Sequence, residues 1–586
     1  MSLPPDEPLK VSALPLPERR APTVDSFNTS PARVKRWIAA LPLTDMSRSA
    51  RRLYEMLGEV NGLDVDPGER YRLLEELREP IRQVSGGLEK RYLGDSFPLP
   101  ASNYRIASLN RRFQHAMAIG YELVAQDLVD RPGGAYRRLF HSNMLCTALH
   151  RSLRYWGRML LTCYQIYAPY PENTWREIHH LYQVAGRLGC AGRAIREPHY
   201  SLIGESTLED AYKQVLLFAL AGPYRLRPGE STSVYAALEV WAPRCRLAPI
   251  AEPQDGVRGV FGLQPDSDQQ PYHLELDGGH PGRSTWVLDT TTLGGILRHQ
   301  IHQLKFGHPA SGEEASPPMP SMTADLLRRL MRSWGMMTER KFERHRKEAH
   351  VEVVIGLSAV HRVLRAPAGS DEPSGVASGD AGMLEVTLEG DSGAYWASAP
   401  SGPDDAVESH LCTVRDETPA GLRLQWHGDD QVRLAVGDLI AVRRADPPGG
   451  GGHWAVGSVR WMRHKRADLL QFGVELLAPR AQPVTIKPCS ADRVCAKPVK
   501  GLELAPQEES GIAATLVTPG FLEHFQQPDV MVIRGDSEQL CSLSRLVEST
   551  GVFARFEYEA VAETQPHAAE DDLEGDTDFT KLWEHL

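Results

Sequence analysis

The chain has 586 residues, of which 41% are hydrophobic and 24% charged, and a formal net charge of −11. This is the composition of an ordinary globular protein of several domains, which excludes collagen-like, wholly disordered and membrane-embedded classes. The acidic balance argues against a globally basic nucleic-acid binder.

The eight cysteines, from Cys146 to Cys541, contain no CxxC pair. They are too sparse for a disulfide scaffold and predict a reduced, cytoplasmic setting. No run approaches the ~20 apolar residues that a spanning helix requires, so no stable membrane insertion is expected. Residues 1–25 begin MSLPPDEPLKVSALPLPERRAP, with six prolines, and read as a disordered leader.

From 26 to 309 the chain reads as a mostly helical domain. Leu53, Met56, Leu57 and Val60 recur at i, i+3, i+4 and i+7 and predict one helix face. Asp66-Pro67 predicts an N-cap with proline at the first helical position. Thr174 with Glu177, and Ser206 with Glu209, have the spacing of capping boxes. Between about 256 and 289 the pattern changes to short strand-like runs, which predicts a small β insertion. Residues 310–337 read as a linker and a connecting helix capped by Thr323, with Leu326, Leu327, Leu330, Met331 and Trp334 on its apolar side.

Beyond that helix the pattern becomes strand-like. Runs such as His350–Leu357, His410–Arg415, Leu422–Trp426, Leu439–Arg443, Trp454–Arg463 and Leu470–Leu476 are apolar or β-branched and punctuated by Gly, Pro and Asp. Many short strands at this spacing predict a barrel over 338–490. The Ala/Pro/Gly/Ser-rich stretch 365–382 predicts a flexible loop. Residues 500–562 predict a small β domain, and 563–586 an acidic tail. The fold class is thus multidomain α and β: a helical array or bundle, an antiparallel β-barrel, and a small C-terminal β region.

The residues that point to chemistry flank the barrel strands. Arg340-Lys341-Phe342-Glu343-Arg344-His345-Arg346-Lys347 contains an RxxxR segment before the first strand. Asp416-Glu417-Thr418-Pro419-Ala420-Gly421 is a DxTxxG segment. Gly457-Ser458-Val459-Arg460-Trp461 and Phe472-Gly473-Val474-Glu475-Leu476 follow. Alone, the first is an ordinary solvated charge run and the second an ordinary turn. In this order around strands, they resemble the PilZ domain, a family of small β-barrels that bind cyclic-di-GMP. The resemblance covers about residues 338–485.

It implies that the dinucleotide sits between an arginine segment and the barrel surface. The implied ligand residues are Arg340, Arg344, Arg346, Asp416, Thr418 and Gly421, with either Arg340 or Arg346 pairing with Arg344. The chemistry is consistent with the residue types. Guanine offers O6 and N7 as paired acceptors that an arginine fork fits, and a carboxylate accepts from its donor edge.

The expected function is a cyclic-di-GMP-binding signalling effector. The barrel would be the sensor and the helical region the output or the part that binds a protein partner. No cofactor, metal, catalytic residue or nucleic-acid partner is expected, because no phosphate loop, GxSxG or HExxH motif occurs. Two other readings are open at the level of sequence. One is a degenerate PilZ-like scaffold that binds no nucleotide. The other is a regulated enzyme with its active site in the helical region.

Overall fold

Apolar stripes at helical spacing build the first half of the molecule, as a computed structural model shows. It describes residues 9–93, 97–130, 135–197, 202–249, 259–274, 286–306, 320, 322–335, 345–365, 407–427, 433–445, 453–466, 469–489, 495–506, 513–524 and 529–561. The chain divides into two compact units. The first holds residues 1–341 with 430–432 and 462–468, and the second holds 342–429, 433–461 and 469–586.

The first unit contains helices α1 (Pro31–Ala39), α2 (Met46–Asn61), α3 (Pro67–Glu89), α4 (Ala101–Asp130), α5 (Ala135–Gln165), α6 (Thr174–Arg187), α7 (Leu208–Leu220), α8 (Glu230–Trp241), α9 (Thr291–Phe306) and α10 (Ala324–Gly335). Helix α2 buries Leu53, Met56, Leu57 and Val60, the stripe its spacing predicts. Asp66 caps α3 by accepting from the N–H groups of Gly68 and Glu69, with Pro67 at the first position. Helix α4 buries an unbroken run from Met117 to Ala125, as a helix surrounded by others must.

Strands β1 (Ile195–Arg196) and β2 (Glu205–Ser206) pair with each other. Strands β3 (Arg246–Pro249), β4 (Val260–Leu263), β5 (Tyr272–His273) and β6 (Trp286–Asp289) form a sheet in the order β3-β6-β4-β5. Among the described residues, no helix is long and apolar enough to cross a membrane.

Four local expectations differ from the structure. Helix α6 is not closed by a Thr174 capping box. Its N-cap is Asn173, in the left-handed region, without a side-chain cap bond. The first amides instead reach the carboxylate of Asp268, which accepts from the N–H groups of Asn173, Trp175 and Arg176 at 2.7, 2.9 and 3.1 Å. A remote carboxylate satisfies these orphan donors as well as a local one would.

For α7 the cap is Thr207, whose Oγ1 accepts from the Asp210 N–H. Ser206 hydrogen-bonds His150 instead. The leader, of which residues 1–8 lie outside the described residues, packs on the helices: Val11 and Ser12 are buried, and the Arg20 N–H donates to the Gly62 carbonyl. Two cysteine pairs are bonded, Cys146–Cys190 and Cys489–Cys495. The first closes a separation of 44 residues, so only the packing of α5 against the turn after α6 brings its thiols together.

Among the described residues, the second unit is β strands with one α-helix and a 3-10 turn at Gly520–His524. Strands β7 (His345–Ile355), β8 (His410–Thr418), β9 (Gly421–His427), β10 (Leu439–Arg444), β11 (Ala455–Arg466) and β12 (Leu469–Ala478) close a barrel in the order β10-β11-β12-β9-β8-β7. Helix α11 (Leu357–Arg365) follows β7. The predicted loop from 366 onward lies outside the described residues.

Strands β13 (Ala481–Cys489), β14 (Val499–Leu504), β15 (Thr515–Pro519), β16 (Asp529–Arg534), β17 (Ser537–Ser549) and β18 (Phe553–Ala560) close a second barrel in the order β13-β14-β15-β18-β17-β16. The C-terminal β region is therefore a closed barrel that starts at Ala481. The predicted acidic tail lies outside the described residues.

The two barrels share buried apolar residues. Val354, Val360, Leu439 and Val456 pack in one cluster with Leu502, Leu504, Val517 and Phe553. Arg460 of β11 adds a polar joint: its Nη2 donates to Glu548 Oε2 of β17 at 3.0 Å and its Nε to Glu475 Oε2 at 2.5 Å.

Candidate ligand-binding site

Strand alternation places the site on the outer wall of the first barrel. Leu424 is fully buried inside, so its neighbour Arg423 faces outward. Residues paired across strands share a face. Asp416 pairs with Arg423, Arg346 pairs with Asp416, and Gly473 pairs with Arg423. The row Arg346–Asp416–Arg423–Gly473 therefore runs across β7, β8, β9 and β12 on one face. A β-bulge between Val414 and Asp416 inserts Arg415 beside it.

A cleft of about 330 Å³ opens there, lined by Arg346, Glu348, Arg415 and Arg423. Three guanidiniums against one carboxylate make it suited to an anion. Asp416 is buried and holds Arg423 through an Oδ2–Nη2 ion pair of 2.6 Å. Arg423 Nε is buried without a hydrogen-bond partner, so this guanidinium keeps a donor to spare. Arg415 is braced by Gln425 Oε1 at 2.7 Å and Glu348 Oε1 at 2.9 Å.

The DxTxxG segment is the β8–β9 hairpin. Thr418 pairs with Gly421 around a two-residue turn, and Thr418 Oγ1 donates to the Gly421 carbonyl at 3.2 Å. A Cβ at Gly421 would stand 2.5 Å from the Val474 carbonyl oxygen. The glycine is thus required by the approach of β12 and not by a positive φ. A Cβ at Gly473 would run into the indole of Trp461, which therefore lies over this backbone beside Arg423.

Of the residues expected to bind ligand, Arg346, Asp416, Thr418 and Gly421 stand on three neighbouring strands. Arg340 and Arg344 lie outside the described residues. Arg423, Arg415 and the face of Trp461 are additional. The signal for Arg423 is in the sequence: in Leu422-Arg423-Leu424 the leucines alternate inward, which sends the arginine outward.

Three family models cover successive parts of the chain. Residues 260–367 and 387–483 match the middle PilZ domain of the cyclic-di-GMP receptor FimW. The middle of this chain is a PilZ domain. Residues 32–253 match the N-terminal domain of FimW, and residues 484–561 match its C-terminal β-barrel domain. The cyclic-di-GMP receptor FimW of Pseudomonas aeruginosa is 26% identical over a 620-residue alignment, which covers 97% of this chain and 98% of that protein. The PilZ barrel is thus followed by the second barrel in the order of that receptor.

The helical unit holds one constellation that resembles catalytic machinery. His150 Nε2 lies 2.7 Å from Ser206 Oγ, and its Nδ1 lies 3.6 Å from Glu197 Oε1. Glu197, however, is engaged by the guanidiniums of Arg78 and Arg151. Burial, together with Arg151, Arg154 and Arg78, holds His150 well below the ordinary histidine value. His150 is fully buried and Ser206 nearly so. The group reads as a buried ionic cluster of the core.

Proposed function

We propose that this chain is a cyclic-di-GMP-binding signalling effector, with the PilZ barrel as sensor and the helical region as output. The observation that carries the reading is the outward row of Arg346, Asp416 and Arg423 on a cationic cleft in a PilZ domain. Cyclic-di-GMP carries two phosphates and two guanines. Guanidiniums bind phosphate or the O6/N7 pair of guanine in a bidentate fork. An indole face beside them offers a purine a stacking surface.

The ligand set comprises Arg340, Arg344 and Arg346 from the arginine segment, and Asp416, Thr418 and Gly421 from the hairpin. Asp416 acts in part through Arg423, which it aims, and Gly421 acts by letting β12 approach. Binding would draw the arginine segment onto the barrel and bias a two-state arrangement. The likeness to a named receptor supports this reading over an enzyme, and over a scaffold that binds no nucleotide. Its place would be the cytoplasm.

The test is calorimetry of the full-length chain with cyclic-di-GMP at low salt, with GTP and cyclic AMP as comparators. Saturable heat with cyclic-di-GMP and far weaker binding of the others is expected. No saturable heat with cyclic-di-GMP sinks the reading.

A further inference from the structure

The cleft on the outer wall of the PilZ barrel holds one carboxylate that its cationic character does not explain. Glu348 lines it together with Arg346, Arg415 and Arg423. The Glu348 side chain is 83% exposed, and its Oε1 accepts from Arg415 Nη1 at 2.9 Å. A negative charge among three guanidiniums opposes the capture of a phosphate. An exposed ion pair adds little to stability. Neither anion binding nor folding therefore accounts for a carboxylate at this place.

Two irregularities of the sheet deliver the pair. Between Arg346↔Asp416 and Ala349↔Val414, both Lys347 and Glu348 of β7 stand against Arg415 of β8. Between Val414↔Leu424 and Asp416↔Arg423, no residue of β9 stands opposite Arg415 in the ladder. Bulges of this kind re-aim side chains and are common beside functional sites. Arg415 is itself fixed, because its Nε donates to Gln425 Oε1 at 2.7 Å. It thereby holds Glu348 at the cleft.

The chemistry of the ligand gives this carboxylate a task. Guanine has an acceptor edge, O6 with N7, and a donor edge, N1–H with the N2 amino group. Guanidiniums suit the first. A carboxylate suits the second, because its two oxygens accept two parallel donors at once. Asp416 is the poorer candidate for that edge: it is buried, and its Oδ2 is engaged by Arg423 Nη2 at 2.6 Å. Glu348 stands exposed in the cleft, and an ionised carboxylate has about four lone-pair sites, so it can keep Arg415 while accepting further donors.

We propose that Glu348 is a specificity-determining residue of this site: it accepts from the N1–H and the N2 amino group of one guanine, and Arg415 positions it. The proposal rests on the reading of the chain as a cyclic-di-GMP-binding effector, and it names how the site tells guanine from other purines. Adenine lacks the N1–H, and hypoxanthine lacks the N2 amino group, so each leaves the carboxylate short of a donor. A site built to hydrogen-bond a group rejects the analogue that lacks it.

The probe is cyclic-di-IMP, whose hypoxanthines keep O6, N7 and N1–H but lack the N2 amino group. Calorimetry of the full-length chain at low salt compares it with cyclic-di-GMP. The wild-type chain should prefer cyclic-di-GMP by roughly tenfold or more, the discrimination of a paired contact. Glu348→Ala should weaken cyclic-di-GMP far more than cyclic-di-IMP and bring the two affinities close together. Glu348→Gln, which keeps one acceptor oxygen without the charge, should retain part of the preference. Both variants should keep wild-type circular dichroism, since the side chain is exposed.

A purely electrostatic role has a different signature: loss of the negative charge would tighten both ligands alike. A wild-type chain that binds both nucleotides equally overturns the proposal without any variant. So does a preference that Glu348→Ala leaves unchanged. Either result leaves the effector reading standing, whereas a wild-type chain that binds neither nucleotide sinks both.

Discussion

Arg423 and Asp416 share one ion pair, so neither can be altered alone without exposing the other's charge or spare donors. Asp416→Ala should therefore weaken cyclic-di-GMP binding although the arginines remain, because Arg423 loses the group that aims it. A charge-assisted hydrogen bond contributes about 1.5–3 kcal/mol. Arg344→Ala should accordingly cost roughly 10- to 150-fold in affinity at about 1.4 kcal/mol per decade. Lys341→Ala should have a small effect that fades in high salt, as exposed charges do. Calorimetry of the three variants separates a shaped pocket from a diffuse basic patch, because equal losses in all three would exclude the pocket.

Gly421→Ala is expected to act on stability first. Its Cβ meets a carbonyl oxygen that the β9–β12 ladder holds in place. Overpacking of that kind costs about 1–3 kcal/mol. Urea unfolding should show a lowered midpoint at unchanged slope, while Thr418→Ser, which keeps the hydroxyl, leaves the midpoint in place.

At the scale of elements, the docked leader and helix α6 carry a pH dependence. Burial raises both Glu122 and Glu177 above the ordinary value of 4.5, and for Glu177 the neighbouring Glu122 adds to the effect. The groups around them are the indole N–H of Trp156 and the Ser152 hydroxyl of α5, both donating to Glu122, and Ser12 and the Leu14 N–H of the leader. Nearby, Arg19 pairs with Asp127 of α4, and His180 is held below the ordinary histidine value, chiefly by burial.

Undocking admits water to the carboxyls and returns their values toward 4.5, so the docked state binds more protons than the open one. Its stability is full below about 4.5 and falls as pH rises through the raised values. Hydrogen exchange at Val11 and Leu14, corrected for the intrinsic rate, should show protection falling between about pH 5 and about pH 9. Glu177→Gln should flatten that fall. A pH-independent protection in the wild-type chain would contradict it.

At the scale of the whole molecule, the PilZ barrel and the C-terminal barrel are expected to unfold as one cooperative unit. They share a buried apolar cluster and the Arg460–Glu548 ion pair. A double-mutant cycle with Arg460→Ala and Glu548→Ala should return a coupling of roughly 0.5–3 kcal/mol, the range for residues in direct contact. Both barrels should lose structure in one urea transition, followed by hydrogen exchange of amides in β12 of the first barrel and β17 of the second. Two separated transitions would show that the shared cluster does not couple them. The segment GSVRW thus has two duties: Arg460 joins the barrels, and Trp461 lies beside the row Arg346–Asp416–Arg423.

Sequence alone determined the order helix, barrel, strand-rich end, because helical and strand periodicities are local properties of the chain. It determined the α2 stripe and the Asp66-Pro67 cap for the same reason. It also placed Asp416, Thr418 and Gly421 together, since they lie within six residues, and resemblance added the arginine segment.

Tertiary structure decided the rest. The cap of α6 comes from Asp268, 92 residues beyond Arg176 in the chain, which no local spacing encodes. Arg346 meets Asp416 only because β7 and β8 pair across an interval of 70 residues. Gly421 is needed for the approach of Val474, a contact set by barrel closure. The proline-rich leader has the composition of a disordered tail. It is ordered because a groove made by α4 and α6 supplies the hydrogen-bond partners and apolar contacts that the segment cannot supply for itself.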